Sequence, residues 1–236
     1  MANDLAPAYI LHRRKYRDSS LILEMFTPAE GKIAVIAKGV MSGKRSKSGS
    51  LQAFYPLWVG WTGRGEIKTL TKVEPRSIPV TLKGKSLYCG FYINELLMYL
   101  IQRNDPQLQL FEIYETALHE LGSACNREAV LRKFELKMLT ELGYQLELQQ
   151  DISSGKPLDP EIHYEYRLEA GPVPCDSRLK ASIQGSTLIK LANNQSMEGQ
   201  EITEARNLMR RVINFHLDGR PLKSRELFQK TRGSLK

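Results

Sequence analysis

Gly31-Lys32-Ile33-Ala34-Val35-Ile36-Ala37-Lys38-Gly39 is the stretch on which the fold turns. Apolar and small residues alternate between two glycines, the pattern of a short strand closed at both ends by turn chemistry. Working backwards, Thr27-Pro28-Ala29-Glu30-Gly31 is a turn, and Ser20-Leu21-Ile22-Leu23-Glu24-Met25-Phe26 is a second β-rich run, so the two form a hairpin. Tyr9-Ile10-Leu11-His12 precedes them across the polar stretch Arg13–Ser19. Working forwards, Leu51–Trp61 is an aromatic-rich strand carrying Phe54, Tyr55, Trp58 and Trp61, with both tryptophans expected in the core or at a domain interface. The tight turn Thr62-Gly63-Arg64-Gly65 leads into the alternating run Glu66–Val73. Five short strands with no helix long enough to cover a parallel sheet predict a small closed barrel of the OB-fold type over residues 1–80.

From Ser86 the period changes from two to 3.6. Leu87, Tyr88, Phe91, Leu96, Leu97, Leu100 and Ile101 recur at helical spacing through Ser86–Arg103. A second helix is predicted over Pro106–Leu121. A third runs Arg127–Leu142 and stops at Gly143 in the C′ position. Short links between the three predict a bundle. Residues 150–180 break the pattern as a loop-and-hairpin insertion, with Ser153-Ser154-Gly155-Lys156-Pro157 as loop and His163–Leu168 alternating. Helices resume over Ser186–Asn193 and Glu201–Leu217. A short last one starts at the N-cap Ser224, held to the body by Leu227 and Phe228. The expected class is α+β multidomain, a five-stranded barrel (1–80) followed by a helical domain (81–236).

The 236 residues carry 34 Lys+Arg against 26 Asp+Glu, and the excess is unevenly spread. Residues 1–80 hold 13 cations and 6 acids, residues 81–205 hold 12 and 18, and residues 206–236 hold 9 and 2. Two basic ends around an acidic middle point to an anion-binding surface, nucleic acid first. Hydrophobic residues at 42% and charged residues at 25% are ordinary for a soluble globular chain. No apolar run reaches the length of a membrane span, and the first residues lack a secretory pattern. A soluble, cytoplasmic protein is expected, with no membrane partner. Cys89, Cys125 and Cys175 form no Cys-x-x-Cys pair, which argues against both a disulfide framework and a zinc site.

Two nucleotide-site lookalikes fail. Gly39-Val40-Met41-Ser42-Gly43-Lys44-Arg45 is one residue short between its glycines and has arginine where a phosphate loop needs Ser/Thr. Gly63-x-Gly65 joins two strands and lacks a third glycine. The four histidines, His12, His119, His163 and His216, are scattered, and no Gly-x-Ser-x-Gly elbow occurs. His216 on an apolar helix face reads as a packing residue. The chain is therefore expected not to be an enzyme and to need no cofactor or metal. What remains is a cationic surface: Arg13 and Arg14, Lys38, Lys44, Arg45 and Lys47 in an acid-free Gly/Ser loop, Arg64 and Lys68 near the last hairpin, and Arg220, Lys223 and Arg225 near the C-terminus. These are the candidate DNA-binding residues, with Tyr9 and Tyr55 as aromatic neighbours for base stacking.

On the third helix, at about 100° per residue, Leu131, Phe134, Met138, Leu139 and Leu142 share a core stripe. Glu135 interrupts that stripe without an evident reason. Arg132 falls at its edge between Leu139 and Leu136, next to Lys133. A hydrophobic notch with a cation beside it suits a peptide ending in an aromatic and a carboxylate. The competing reading is an Arg132 ion pair with Glu128 or Glu135.

The order of elements resembles the RecO family of bacterial DNA repair proteins. The segments that carry the resemblance are Tyr9-Ile-Leu-His12, Ser19-Ser-Leu21, the Gly31–Gly39 strand, Gly63-Arg-Gly-Glu-Ile-Lys-Thr-Leu70, Leu87-Tyr88 with Tyr92-Ile-Asn-Glu-Leu-Leu97, Leu131-Arg-Lys-Phe-Glu-Leu136, Leu142-Gly-Tyr144 and Gly219–Phe228. The resemblance implies a recombination mediator that binds single- and double-stranded DNA and anneals complementary strands. It also implies association with RecR and help for RecA in replacing single-stranded DNA-binding protein (SSB), within the nucleoid. It further implies that the acidic SSB tail binds the helical domain, on Arg132, Lys133, Leu136 and Leu139. Many members carry a four-cysteine zinc module where this chain keeps only Cys175, so the insertion is expected to be zinc-less. Two readings from other classes stay open on the residues alone: an RNA-binding or ribosome-associated OB-fold protein, and a non-catalytic basic scaffold.

Overall fold

A computed structural model describes residues 5–41, 49–123, 126–179 and 181–227. The chain divides into two compact units, Met1–Ser123 with Leu222–Lys236, and Ala124–Pro221.

The first unit is built on a closed barrel of β1 (Ala6–Tyr16), β2 (Ser20–Thr27), β3 (Gly31–Ala37), β4 (Leu57–Thr62) and β5 (Ile67–Pro75). The strand order is β1-β2-β3-β5-β4, with β4 returning to β1. Every pairing is antiparallel except β3 with β5. This is the order of an OB-type barrel, and it leaves no free sheet edge. Ile10, Leu23, Met25, Ile33, Val35 and Leu57 fill its interior. The fourth strand is shorter than expected: it begins at Leu57, and Phe54 ahead of it sits at φ 69. In β4 the side chains alternate, so Leu57 and Val59 point inward while Trp58 is 36% exposed. Trp58 is therefore a surface residue, against expectation. Trp61 follows Leu57 and Val59 on the inward face and packs on the core, while the register shift beside it leaves Thr71 of β5 as the extra residue.

β2 is buried on both faces, because its second face carries helices. α1 (Lys85–Leu100) and α2 (Leu108–Ser123) belong to this unit. Tyr9 and Phe26 on the outside of the barrel meet Phe111 and Tyr114 of α2, with ring centroids 5.1–6.0 Å apart. α1 is joined to the barrel through Asn94, which is buried. β1 carries an extra residue between the pairs Ile10↔Met25 and His12↔Glu24. The Asn94 amide donates to the Leu11 carbonyl at that bulge (3.0 Å) and to Ile10 (3.4 Å), and its Oδ1 accepts from the Tyr114 hydroxyl (2.8 Å). Below the β2–β3 hairpin the α1–α2 link is laced to it: Asn104 N–H donates to Lys32 O and Gln107 N–H to Pro28 O. Gly31, at φ +58, is required there, because a Cβ would overlap the Asp105 carbonyl. The residues after Leu222 return to this unit, where the Glu95 carboxylate accepts from the backbone N–H groups of Lys223 (2.9 Å) and Ser224 (2.8 Å).

The second unit holds α3 (Arg127–Glu141), β6 (His163–Arg167), β7 (Gly171–Pro174), β8 (Ser182–Gln184), α4 (Gly185–Ala192) and α5 (Gly199–His216). The three helices expected as one bundle divide between the units: α1 and α2 pack on each other and on the barrel strands in the first, and α3 packs with α5 in the second. The insertion is a three-stranded sheet ordered β7-β6-β8, in which the His163–Leu168 run is the central strand. α5 is tied to this sheet by Arg211, which donates to the Tyr166 carbonyl (3.0 Å). It is tied to α4 by Glu204, which accepts from the Thr187 hydroxyl (2.7 Å). Cys89 is buried, Cys175 is half-buried, and Cys125 lies outside the described residues. Among the described residues no cluster of three or more His, Cys, Asp or Glu could hold a metal ion, and no helix is long and apolar enough to cross a membrane.

Candidate nucleic-acid interface

His12, Arg13, Arg14 and Lys15 are exposed in succession at the end of β1, where a regular strand would hide every other residue. The bulge at Leu11 explains part of this. Beyond it, Arg13 stands opposite Leu23 and Lys15 opposite Leu21, both core residues, so these two cations occupy inward positions at the rim of the barrel. His12 and Arg14 take the outward positions. Arg13 Nη1 donates to the Leu51 carbonyl (2.8 Å), which fixes its stem. Arg17 turns the chain at φ 53, its guanidinium 5.2 Å from the Tyr16 ring centroid.

Strand register brings Lys38 to the same rim. Lys15 pairs with Leu21 and Leu21 with Ala37, the residue before Lys38, which is exposed. Met41 N–H donates to Ser19 O (3.0 Å), so the basic loop also leaves from this end. Lys44, Arg45 and Lys47 of that loop lie outside the described residues. Arg13, Arg14, Lys15, Arg17 and Lys38 thus form one cationic rim.

Register places Arg64 and Lys68 elsewhere. β5 runs parallel to β3 with Ile67 level with Ala34, so the β4–β5 turn points to the opposite end, beside the β2–β3 turn. Lys68 Nζ is 3.6 Å from Glu30 there, and its side chain is 13% exposed. Arg64 is exposed. Tyr9 offers no stacking face: it is buried against α2, its hydroxyl donates to Glu115 (3.0 Å), and Arg76, itself ion-paired with Glu115, lies over its ring. Burial raises the Tyr9 phenol pKa, with Arg76 opposing. Tyr55 packs on the barrel core. The hollow beside Arg76 is lined by Glu112, Glu115, His119 and Glu120, the wrong sign for phosphate. Arg220 is exposed in the second unit; Lys223 is exposed and Arg225 half-buried in the first. A helical stretch begins near Ser224, but Ser224 lies inside it rather than capping it, since its buried Oγ has no hydrogen-bond partner among the described residues. Phe228 lies outside the described residues.

On α3 the wheel put Arg132 at the edge, whereas its side chain is only 8% exposed. Its Nη2 donates to Glu135 Oε1 at 2.6 Å, and Glu135 has no exposed surface. The carboxylate that interrupted the apolar stripe is the partner of this arginine. Arg132 Nε and Nη1 are buried without a hydrogen-bond acceptor among the described residues. Leu139 is buried, whereas Lys133 and Leu136 are partly exposed one turn apart.

Known proteins match the barrel and the helical region alike. Residues 1–79 match the family model "Recombination protein O N terminal" and residues 82–226 match "Recombination protein O C terminal". The chain is 47% identical over 222 residues to DNA repair protein RecO of Methylococcus capsulatus, covering 94% of this chain and 91% of that one. It is 40% identical to DNA repair protein RecO of Nitrosospira multiformis over 228 residues (94% and 93%) and 40% identical to that of Nitrosococcus oceani over 230 residues (97% and 94%). Barrel, helical region and matches together span the sequence almost end to end, and the chain belongs to the RecO family of DNA repair and recombination proteins.

Proposed function

We propose that the chain is a recombination mediator of the nucleoid that binds single- and double-stranded DNA, anneals complementary strands and helps load RecA onto SSB-coated single strands, with RecR as a partner. The observation that carries the reading is the cationic rim, where five cations converge at the end of the barrel from which the Lys44–Lys47 loop also departs. Annealing needs no bond to be made or broken by the protein. Cations lower the repulsion between two phosphate backbones, and base pairing supplies the drive. Arg64 and Lys68 stay in the proposal as a separate, weaker contact, because Lys68 already faces Glu30. Arg220, Lys223 and Arg225 are proposed as a further basic surface.

The acidic tail of SSB is the proposed ligand of α3. Lys133 and Leu136, both partly exposed, supply the cation and the apolar notch, Leu139 the floor, and the unaccepted donors of Arg132 a place for a carboxylate. Annealing of complementary oligonucleotides coated with SSB tests the whole reading. The chain should accelerate it, and charge reversal at Arg14 and Lys15 should slow it. No acceleration by the intact chain would refute the reading, and preference for RNA or for an acidic protein would favour the rival classes.

A further inference from the structure

The second unit carries an exposed aromatic cluster that its own packing does not use up. α3 ends in a Schellman closure: Gly143, at φ +83, donates to Thr140 O (3.0 Å), and Tyr144 N–H donates to Leu139 O (2.7 Å). In that motif the residue at Tyr144's position often folds back on its own helix. Here the Tyr144 ring stacks on His216 of α5, with centroids 4.2 Å apart and planes 27° from parallel. α5 closes the same way, with Asp218 at φ +50 donating to Phe215 O (3.1 Å) and Gly219 N–H donating to Asn214 O (3.3 Å). Phe215 meets His216 edge-on at 5.3 Å. Two helix ends with fixed backbones therefore hold three contiguous rings, and Tyr144 remains 47% exposed and Phe215 42%. Single exposed aromatics need no explanation, but a contiguous rigid group marks an interaction site.

We propose that the Tyr144–His216–Phe215 cluster is a stacking platform for the bases of single-stranded DNA, a nucleic-acid contact of the helical unit distinct from the barrel rim. The inference rests on the DNA-binding reading and adds a place and a mode to it. Charge selects the ligand: residues 206–221 of this unit hold 4 Lys+Arg against 1 Asp+Glu, and Arg210 and Arg220 are exposed on either side of the cluster in sequence. Arg206 and Arg211 are already engaged with Glu128 and the Tyr166 carbonyl. Burial holds the His216 pKa below its ordinary value against the opposing field of Glu169, so the middle ring is uncharged at neutral pH. Flat, uncharged faces suit nucleobases without regard to sequence. Stacking also leaves the pairing edges of a base free, which is what a strand waiting to be annealed requires. Duplex bases are already stacked and have nothing to offer such a surface.

The test uses the full chain, a labelled oligothymidylate and a duplex of equal length. Tyr144→Ala with Phe215→Ala should weaken oligothymidylate binding about tenfold or more. It should leave duplex affinity and the salt dependence of binding unchanged, and Tyr144→Phe should bind as the wild type does. Photocross-linking of the wild type to an oligonucleotide carrying 5-iodouracil should label the peptide of Tyr144 or Phe215, and it does not depend on how the variant folds. Cross-links confined to the barrel unit, or a double variant equal to wild type, would overturn the proposal. Equal losses on single strand and duplex would do so too, and so would a variant that still binds the single strand but no longer anneals, which would assign the patch to a protein partner. A wild type that retains no single strand would refute the DNA-binding reading itself.

Discussion

Replacing Asn94 with leucine should cost the first unit far more than a surface amide would. The side chain makes three hydrogen bonds in a site only 2% exposed. Leucine fills the volume but leaves two strong groups without partners, the Leu11 carbonyl freed by the bulge and the Tyr114 hydroxyl. Each buried orphan costs about 1–3 kcal/mol, so the expected loss is about 2–6 kcal/mol. Tyr114→Phe should cost about 1–3 kcal/mol, by orphaning Asn94 Oδ1. In the double variant the Tyr114–Asn94 bond is removed from both sides and only the Leu11 carbonyl stays unpaired. Its loss should therefore fall short of the sum of the single losses by two orphaned groups, about 2–6 kcal/mol. Both tryptophans, Trp58 and Trp61, lie in β4, so the urea midpoint of tryptophan fluorescence reads this unit alone. Additive losses in the double variant would refute the view that Asn94 joins α1, α2 and the bulge as one network.

Gly31→Ala should destabilise the same unit by more than about 2 kcal/mol, seen in the same fluorescence transition, since it combines a left-handed φ with an overlap on Asp105. Burial, with Glu147 second, pushes the Tyr166 phenol up to about 12, so the folded chain keeps a proton that the unfolded chain releases near 10. Stability from this group is complete below pH 10 and should fall by about 1.4 kcal/mol per pH unit from there to 12, a slope that Tyr166→Phe should remove from pH-dependent unfolding. Neutralising Lys44, Arg45 and Lys47 together should lower the slope of log affinity against log salt by about 2–3 if all three meet phosphate, and an unchanged slope in DNA titrations would make the loop a bystander. Arg132→Ala should lower the melting temperature as well as SSB-tail binding, because removing the cation beside buried Glu135 costs about 3–5 kcal/mol. Leu136→Ala with Lys133→Ala should weaken only tail-peptide binding in calorimetry.

The barrel was readable because alternation and turn residues are local signals, and β2, β3 and β5 required nothing from elsewhere. The bulge at Leu11 was not, since one inserted residue changes neither composition nor hydrophobicity, yet it shifts the facing of every side chain from His12 onward. Arg64 and Lys68, near the last hairpin, were counted in one cationic surface with the basic loop because sequence hides strand direction; the parallel pairing of β3 with β5 sends them to the other end. Tyr9 read as an outward aromatic, and it is one, but α2 covers it. Glu135 was conspicuous in the sequence, and an ion pair with Arg132 was one of the readings open there; that both side chains would be buried was not legible, because a surface pair and a buried one have the same spacing. Tyr144 and His216 lie far apart in sequence, and nothing local announces that two helix ends will bring their rings together.

The first unit is discontinuous in the chain, and this bears on its synthesis. Glu95 is made early, but the N–H groups of Lys223 and Ser224 that it binds emerge only after all of Ala124–Pro221. At about 5–20 residues per second, the barrel and its two helices wait several seconds or more on the ribosome for their last piece. During that interval the Glu95 carboxylate lacks both of these N–H donors. A nascent chain arrested before Leu222 therefore presents a barrel with an open seat on α1, and release of the final segment is the event that fills it.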